Sequence, residues 1–193
     1  MLFRSNIFIE TTRDEDPKKK GGRTKRRYDA IKEAVAAFNA ENAALAKELK
    51  GFKPADFDNE RLVLYFMQGG KSLYSGKELD INRLSEYQVD HIIPQSYIKD
   101  DSFENKALVL ASENQAKTDN LLISPAIRQK MAPYWRALHD AKLIGDKKFD
   151  NLTRDRVGDK KIRGFIARQL VETSQIVKLA KLMLDKIPFI ILV

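Results

Sequence analysis

Tyr87-Gln88-Val89-Asp90-His91-Ile92-Ile93-Pro94 is the stretch that decides how this chain folds. Tyr87, Val89, His91 and Ile93 alternate with Gln88, Asp90 and Ile92, so residues 87–93 read as a half-buried strand, and Pro94 closes it because it has no N–H for a ladder. A polar loop follows, to about Lys106. Ala107-Leu108-Val109-Leu110 then gives a second, apolar strand, and Ser112-Glu113-Asn114-Gln115 has the spacing of a capping box that opens a helix. The order is strand, loop, strand, helix.

Helices surround this unit on both sides. Upstream, Ile31, Val35, Phe38, Leu45 and Leu49 recur on one helical face, with Asn42 interrupting the stripe. A second helix is expected over 59–68, stopped by Gly69-Gly70. Leu73-Tyr74-Ser75-Gly76-Lys77-Glu78-Leu79 reads as a tight turn in which Gly76 takes positive φ. Downstream, Ser124 caps a helix with Pro125 in its first turn and with Ile127, Met131, Trp135 and Leu138 on one side; Pro133 is expected to kink it. Ile166, Leu170, Thr173, Val177, Ala180 and Leu184 form a narrow seam on a last helix. The fold class that follows is α+β and mostly helical.

Asp90 and His91, with Asn105 and Asn114 downstream, are the residues that carry chemistry. Asp90 offers a charged oxygen and Asn114 a neutral carbonyl oxygen, a set suited to a hard cation such as Mg²⁺ that keeps several waters. His91 stays free as a base, because an imidazole with its ordinary pKa near ~6.5 accepts a proton from water near neutrality. Neighbouring strand residues point to opposite faces, so Asp90 and His91 bracket a phosphate only if it lies across the strand's end. Asn114 is expected second in its helix, where free N–H groups favour an anion. Lys117, three residues on, would reach a phosphate oxygen or be an ordinary solvated lysine. Asn105 is either a catalytic neighbour or a loop residue that bonds backbone.

Composition sets the frame for that chemistry. The 193 residues carry a net charge of +8, which favours a polyanionic partner. Absence of cysteine excludes disulfides, thiolate zinc sites and cysteine nucleophiles, and suits a reducing cytoplasm. The apolar runs at 7–9 and 187–193 are too short to span a membrane, so no membrane partner is expected. Residues 14–27, rich in lysine and arginine around Gly21 and Gly22, read as a flexible connector or a phosphate-contacting hinge.

From Leu79-Asp80-Ile81-Asn82-Arg83-Leu84 through Asp90-His91-Ile92-Ile93-Pro94-Gln95-Ser96 the chain resembles the HNH domain of type II CRISPR effector nucleases. Lys99-Asp100-Asp101-Ser102, Asn105-Lys106, Tyr134-Trp135, Lys148-Phe149-Asp150-Asn151-Leu152-Thr153 and Arg168-Gln169-Leu170-Val171-Glu172-Thr173 continue the likeness over nearly the whole chain. The resemblance implies a ββα-metal (HNH) core surrounded by helices, with His91 as general base, Asp90 and Asn114 on Mg²⁺, for which Mn²⁺ can substitute, and Asn105 supporting the loop. It implies as partners a DNA target strand in an RNA–DNA heteroduplex and, through a parent effector in the bacterial cytoplasm, a guide RNA.

The same likeness divides the chain. Residues 1–13, with Ile7-Phe8-Ile9-Glu10, resemble a strand of the parent's RNase H-like nuclease domain; 14–27 form a basic linker, 28–160 the HNH domain, 161–185 a helical linker, and 186–193 an apolar tail that matches nothing. Two other readings share these residues. One is a free-standing homing or phage HNH endonuclease; the other is a module that docks on a duplex or a protein inhibitor without chemistry.

Overall fold

The computed structural model describes residues 17–38, 43–118 and 120–156. The strand expected at 6–10, the seamed helix at 166–184 and the tail at 186–193 lie outside the described residues. The helices are α1 (Pro17–Phe38), α2 (Ala43–Leu49), α3 (Glu60–Met67), α4 (Ala111–Lys117), α5 (Pro125–Asp140) and α6 (Asp146–Thr153). The strands are β1 (Gln88–His91) and β2 (Lys106–Val109), and short 3₁₀ turns occupy Pro54–Asp58, Ile81–Glu86 and Phe103–Asn105. Among the described residues the fold is α+β, mostly helical, with one two-stranded sheet.

Helix α3 sits at the centre, because Leu62, Val63, Leu64, Tyr65 and Phe66 are all buried and a helix apolar on every side must be surrounded. Asn59 caps it, its side-chain oxygen accepting from the N–H groups of Arg61 at 3.0 Å and Leu62 at 3.3 Å. The chain leaves α3 through Gly69 and Gly70, at φ +65° and +75°. A Cβ on Gly69 would lie 2.7 Å from the Tyr134 hydroxyl, so both the backbone and the close approach of α5 demand glycine.

In the sheet, β1 and β2 run antiparallel with Gln88 opposite Val109, Val89 opposite Leu108, Asp90 opposite Ala107 and His91 opposite Lys106. The other edge of β2 is closed by a side chain. Buried Gln68 donates from Nε2 to the Leu108 carbonyl at 2.9 Å and accepts from the Leu108 N–H at 2.6 Å, as a further strand would. Trp135 on α5 donates its indole N–H to the Leu73 carbonyl at 2.8 Å, fixing the turn that carries Tyr74.

Several local expectations are corrected. Residues 17–27 are the opening turns of α1 rather than a flexible connector. Arg27 donates to the Phe57 carbonyl at 2.8 Å and stands 4.6 Å over the Phe103 ring, so a residue read as linker charge packs on the core. Strand β1 is shorter than the expected 87–93, and β2 starts one residue early, at Lys106. Helix α4 begins at Ala111, and Glu113, not Ser112, supplies the cap by accepting from the Leu110 N–H at 3.1 Å.

Candidate active site

Asp90, His91 and Asn114 line one open cleft of about 420 Å³, with Gln95, Ser96 and Thr118 around them. Strand alternation turns Asp90 toward α4 and His91 away from it. The two share a cleft because His91 is the last residue of β1, so the cleft lies across the strand's end.

Asp90 is held from beneath. Tyr74 donates its hydroxyl to Asp90 Oδ2, and the Lys117 ammonium lies 2.9 Å from the same oxygen. Burial, with the neighbouring Asp90 carboxylate, pushes the Tyr74 phenol well above its ordinary range, so it remains a donor. Lys117 also donates to the His91 carbonyl at 2.7 Å. The expectation of a surface lysine reaching outward is therefore corrected: its side chain is only 4% exposed, and its charge is spent on Asp90 and on the end of β1.

Asn114 donates from Nδ2 to Gln88 Oε1 at 2.8 Å, which leaves its carbonyl oxygen without a partner among the described residues. It is the fourth residue of α4, and its N–H already bonds the Leu110 carbonyl at 3.1 Å. The anion-binding helix start expected around it is thus displaced. Asn105 does not line the cleft. Buried, it accepts from the Ile93 N–H at 2.9 Å and donates to the carbonyls of Ile93 at 2.9 Å and Asp100 at 3.0 Å, pinning both ends of the loop between the strands.

His91 Nε2 is 3.1 Å from Asp101 Oδ1 and 3.0 Å from the Gln95 amide nitrogen. Lys106, directly across the sheet, reaches the same Asp101 oxygen at 2.7 Å and Glu60 at 2.5 Å. Hydrogen bonds from Lys106 and His91 hold the Asp101 carboxyl below the usual carboxylate range. Burial opposes the charge on Lys106, but its bonds to Asp101 and Glu60 raise it above the ordinary lysine value.

As a cation site, the cleft offers Asp90 Oδ1 and Asn114 Oδ1, each without a partner among the described residues. No three His, Cys, Asp or Glu side chains there gather as a metal cluster. One carboxylate oxygen, one amide oxygen and room for waters fit a hard, water-retaining divalent cation. A larger, mainly apolar cavity of about 900 Å³ lies between α4 and α5 and lacks that oxygen pair.

Residues 72–122, which hold both strands, α4 and every residue lining the cleft, match the HNH endonuclease family. The chain carries an HNH nuclease domain. It is 40% identical over 185 residues to the CRISPR-associated endonuclease Cas9 of Streptococcus mutans, covering 94% of this chain and 13% of that protein. It is 37% identical over 180 residues to the Cas9 of Listeria innocua, covering 89% of this chain and again 13% of the relative. The chain thus spans about an eighth of the length of either relative, and the HNH domain is of the kind found in Cas9. By class such an endonuclease is a phosphodiester hydrolase.

Sequence reasoning missed the supports of this HNH site. Tyr74 reads as a turn residue, and Asp101 as part of a polar loop within the family likeness but with no role; neither carries a local periodicity that links it to residues 16 and 10 positions away. Gln95 and Gln88 were equally silent, since an amide's partner is set by the fold.

Proposed function

We propose that this is the HNH domain, with flanking segments, of an RNA-guided type II CRISPR effector, and that it hydrolyses a phosphodiester of the DNA strand paired with guide RNA. The observation that carries this reading is the meeting of Asp90, His91 and Asn114 in one cleft, with an oxygen of each ligand residue left open. The Cas9 likeness extends over 94% of the chain, beyond residues 72–122, which favours this over a free-standing HNH enzyme.

In the proposed mechanism His91 takes a proton from the attacking water. Asp90 and Asn114 hold Mg²⁺, with Mn²⁺ as a substitute; bound there, the ion supplies charge stabilisation for the phosphate and the departing oxygen. Tyr74 and Lys117 fix Asp90 through Oδ2, which leaves Oδ1 for the ion. Asn105 keeps the loop after His91 in register and touches no reactant. The core is accordingly of the ββα-metal type, formed by β1, β2 and α4. Residues 28–160 form the body of the domain, which α1 extends back to Pro17, and 1–16 and 161–185 connect it to a parent protein that holds the guide RNA in the bacterial cytoplasm.

The test is cleavage of a labelled DNA duplex by the chain in Mg²⁺. His91→Ala is expected to abolish cleavage while its circular dichroism stays that of the parent. Wild-type-like nicking by a folded His91→Ala chain would overturn the assignment.

A further inference from the structure

His91 has two ring nitrogens, and the mechanism needs one of them bare. We propose that Asp101 is a positioning residue that holds His91 as the Nε2–H tautomer and so leaves Nδ1 as the nitrogen that takes the water's proton. This deepens the general-base reading above and rests on it.

The geometry around Nε2 sets two exclusive arrangements. If Nε2 carries the proton, it donates to Asp101 Oδ1 at 3.1 Å and the Gln95 amide, 3.4 Å from the same oxygen, donates there too; if it is bare, the Gln95 amide donates to it at 3.0 Å and the Asp101 oxygen faces a lone pair. An ionised acceptor gives the stronger bond, roughly twice a neutral one. Asp101 is kept ionised by Lys106, so the first arrangement wins. Nδ1 has no partner among the described residues, and His91 lines the cleft. When Nδ1 accepts the proton, the imidazolium keeps its Nε2–H on Asp101, which offsets the new charge.

A histidine–aspartate contact is not by itself a site. His139 lies 2.8 Å from Asp146, closer than His91 to Asp101, yet it borders no part of the cleft. The difference is what stands behind the carboxylate. Asp146 is 96% exposed, whereas Asp101 is braced by Lys106, whose own side chain is 8% exposed and is tied at its other side to Glu60 on α3. Lys106 is also His91's cross-strand partner, so the sheet register delivers the brace to the base.

The chain has two histidines, so ¹⁵N-histidine labelling gives two sets of ring signals, with His139 as the internal control. At about pH 8, where imidazole is ordinarily neutral, long-range ¹H–¹⁵N spectra should show His91 as Nε2–H. Asp101→Ala should move His91 toward Nδ1–H and leave His139 unchanged. Its kcat for DNA nicking should fall about ten- to a hundredfold with KM little altered, the range found when a metal-bound histidine loses its outer carboxylate partner. Asp101→Glu should restore part of both. The Asp101 side chain is 72% exposed, so its loss is not expected to unfold the chain. Retention of the Nε2–H pattern and of kcat in Asp101→Ala would overturn this inference alone. Wild-type-like nicking by His91→Ala would instead remove the general-base reading, and this role with it.

Discussion

Asp90 sits at the junction of two demands, since one oxygen is committed to Tyr74 and Lys117 while the other has no partner among the described residues and the residue lines the cleft. Asp90→Ala is therefore expected to lose Mg²⁺ or Mn²⁺ binding in calorimetric titration and also to strand the Lys117 ammonium, at about 3–5 kcal/mol of stability. Asp90→Asn keeps the shape and a hydrogen-bond acceptor for Lys117 while removing the same charge; unchanged metal affinity in both variants would place the ion elsewhere. Lys148 poses a different problem. Fully buried on α6, its side chain donates, among the described residues, only to the Phe103 carbonyl at 3.2 Å, and burial pushes its ammonium down to about 7. Between that value and the free-chain value near ~10.4 the unfolded state binds more protons, so this group adds stability as pH rises through that window, and its full penalty stands below it. Lys148→Met should consequently stabilise the chain by a few kcal/mol at pH ~6 and much less at pH ~10, read from urea unfolding. Equal gains at both pH values would mean that the ammonium is not driven off its proton by burial.

At the scale of elements, β2 depends on a single side chain for its outer edge. Gln68→Ala would leave the buried N–H and carbonyl of Leu108 unpaired, each costing about 1–3 kcal/mol. The expected result is a lower urea midpoint and weaker metal binding, because Asp90 is placed by Ala107 across the sheet; an unchanged midpoint would show that water replaces the amide at no cost. This clasp marks the limit of what the sequence disclosed. The order strand, loop, strand, helix was legible because period-two alternation at 87–93 and the apolar run at 107–110 are local signals. Helix α3 was legible from Asn59 and Gly69-Gly70 for the same reason. The helical state of 17–27 was not, since charge density signals solvent while the residues that bind it, Phe57 and Phe103, are distant in sequence. The brace from Glu60 through Lys106 to Asp101 was hidden likewise, because three elements must fold before those charges meet.

Across the whole molecule, a net charge of +8 is paired with a cleft whose recognisable chemistry is directed at a phosphate rather than at a base edge. Sequence readers place side chains in a groove by a dedicated helix, finger or arm, and among the described residues the elements are instead spent on packing around α3 and on holding Asp90, His91 and Asn114. The 193-residue chain by itself is thus expected to bind duplex DNA with little sequence preference and to cut it slowly in Mg²⁺. Phosphate contacts should dominate, so the logarithm of the binding constant should fall linearly with the logarithm of salt, at a slope near ~0.9 per phosphate neutralised. In an RNA-guided parent the guide's base pairing would choose the sequence and docking of the domain would place the phosphate. Incubating the chain with a random duplex library and mapping the new ends tests this directly. Ends scattered over many sequences, and lost on His91→Ala, are the expected result, whereas rapid cutting at one defined sequence would make the free-standing endonuclease the better account of the same cleft.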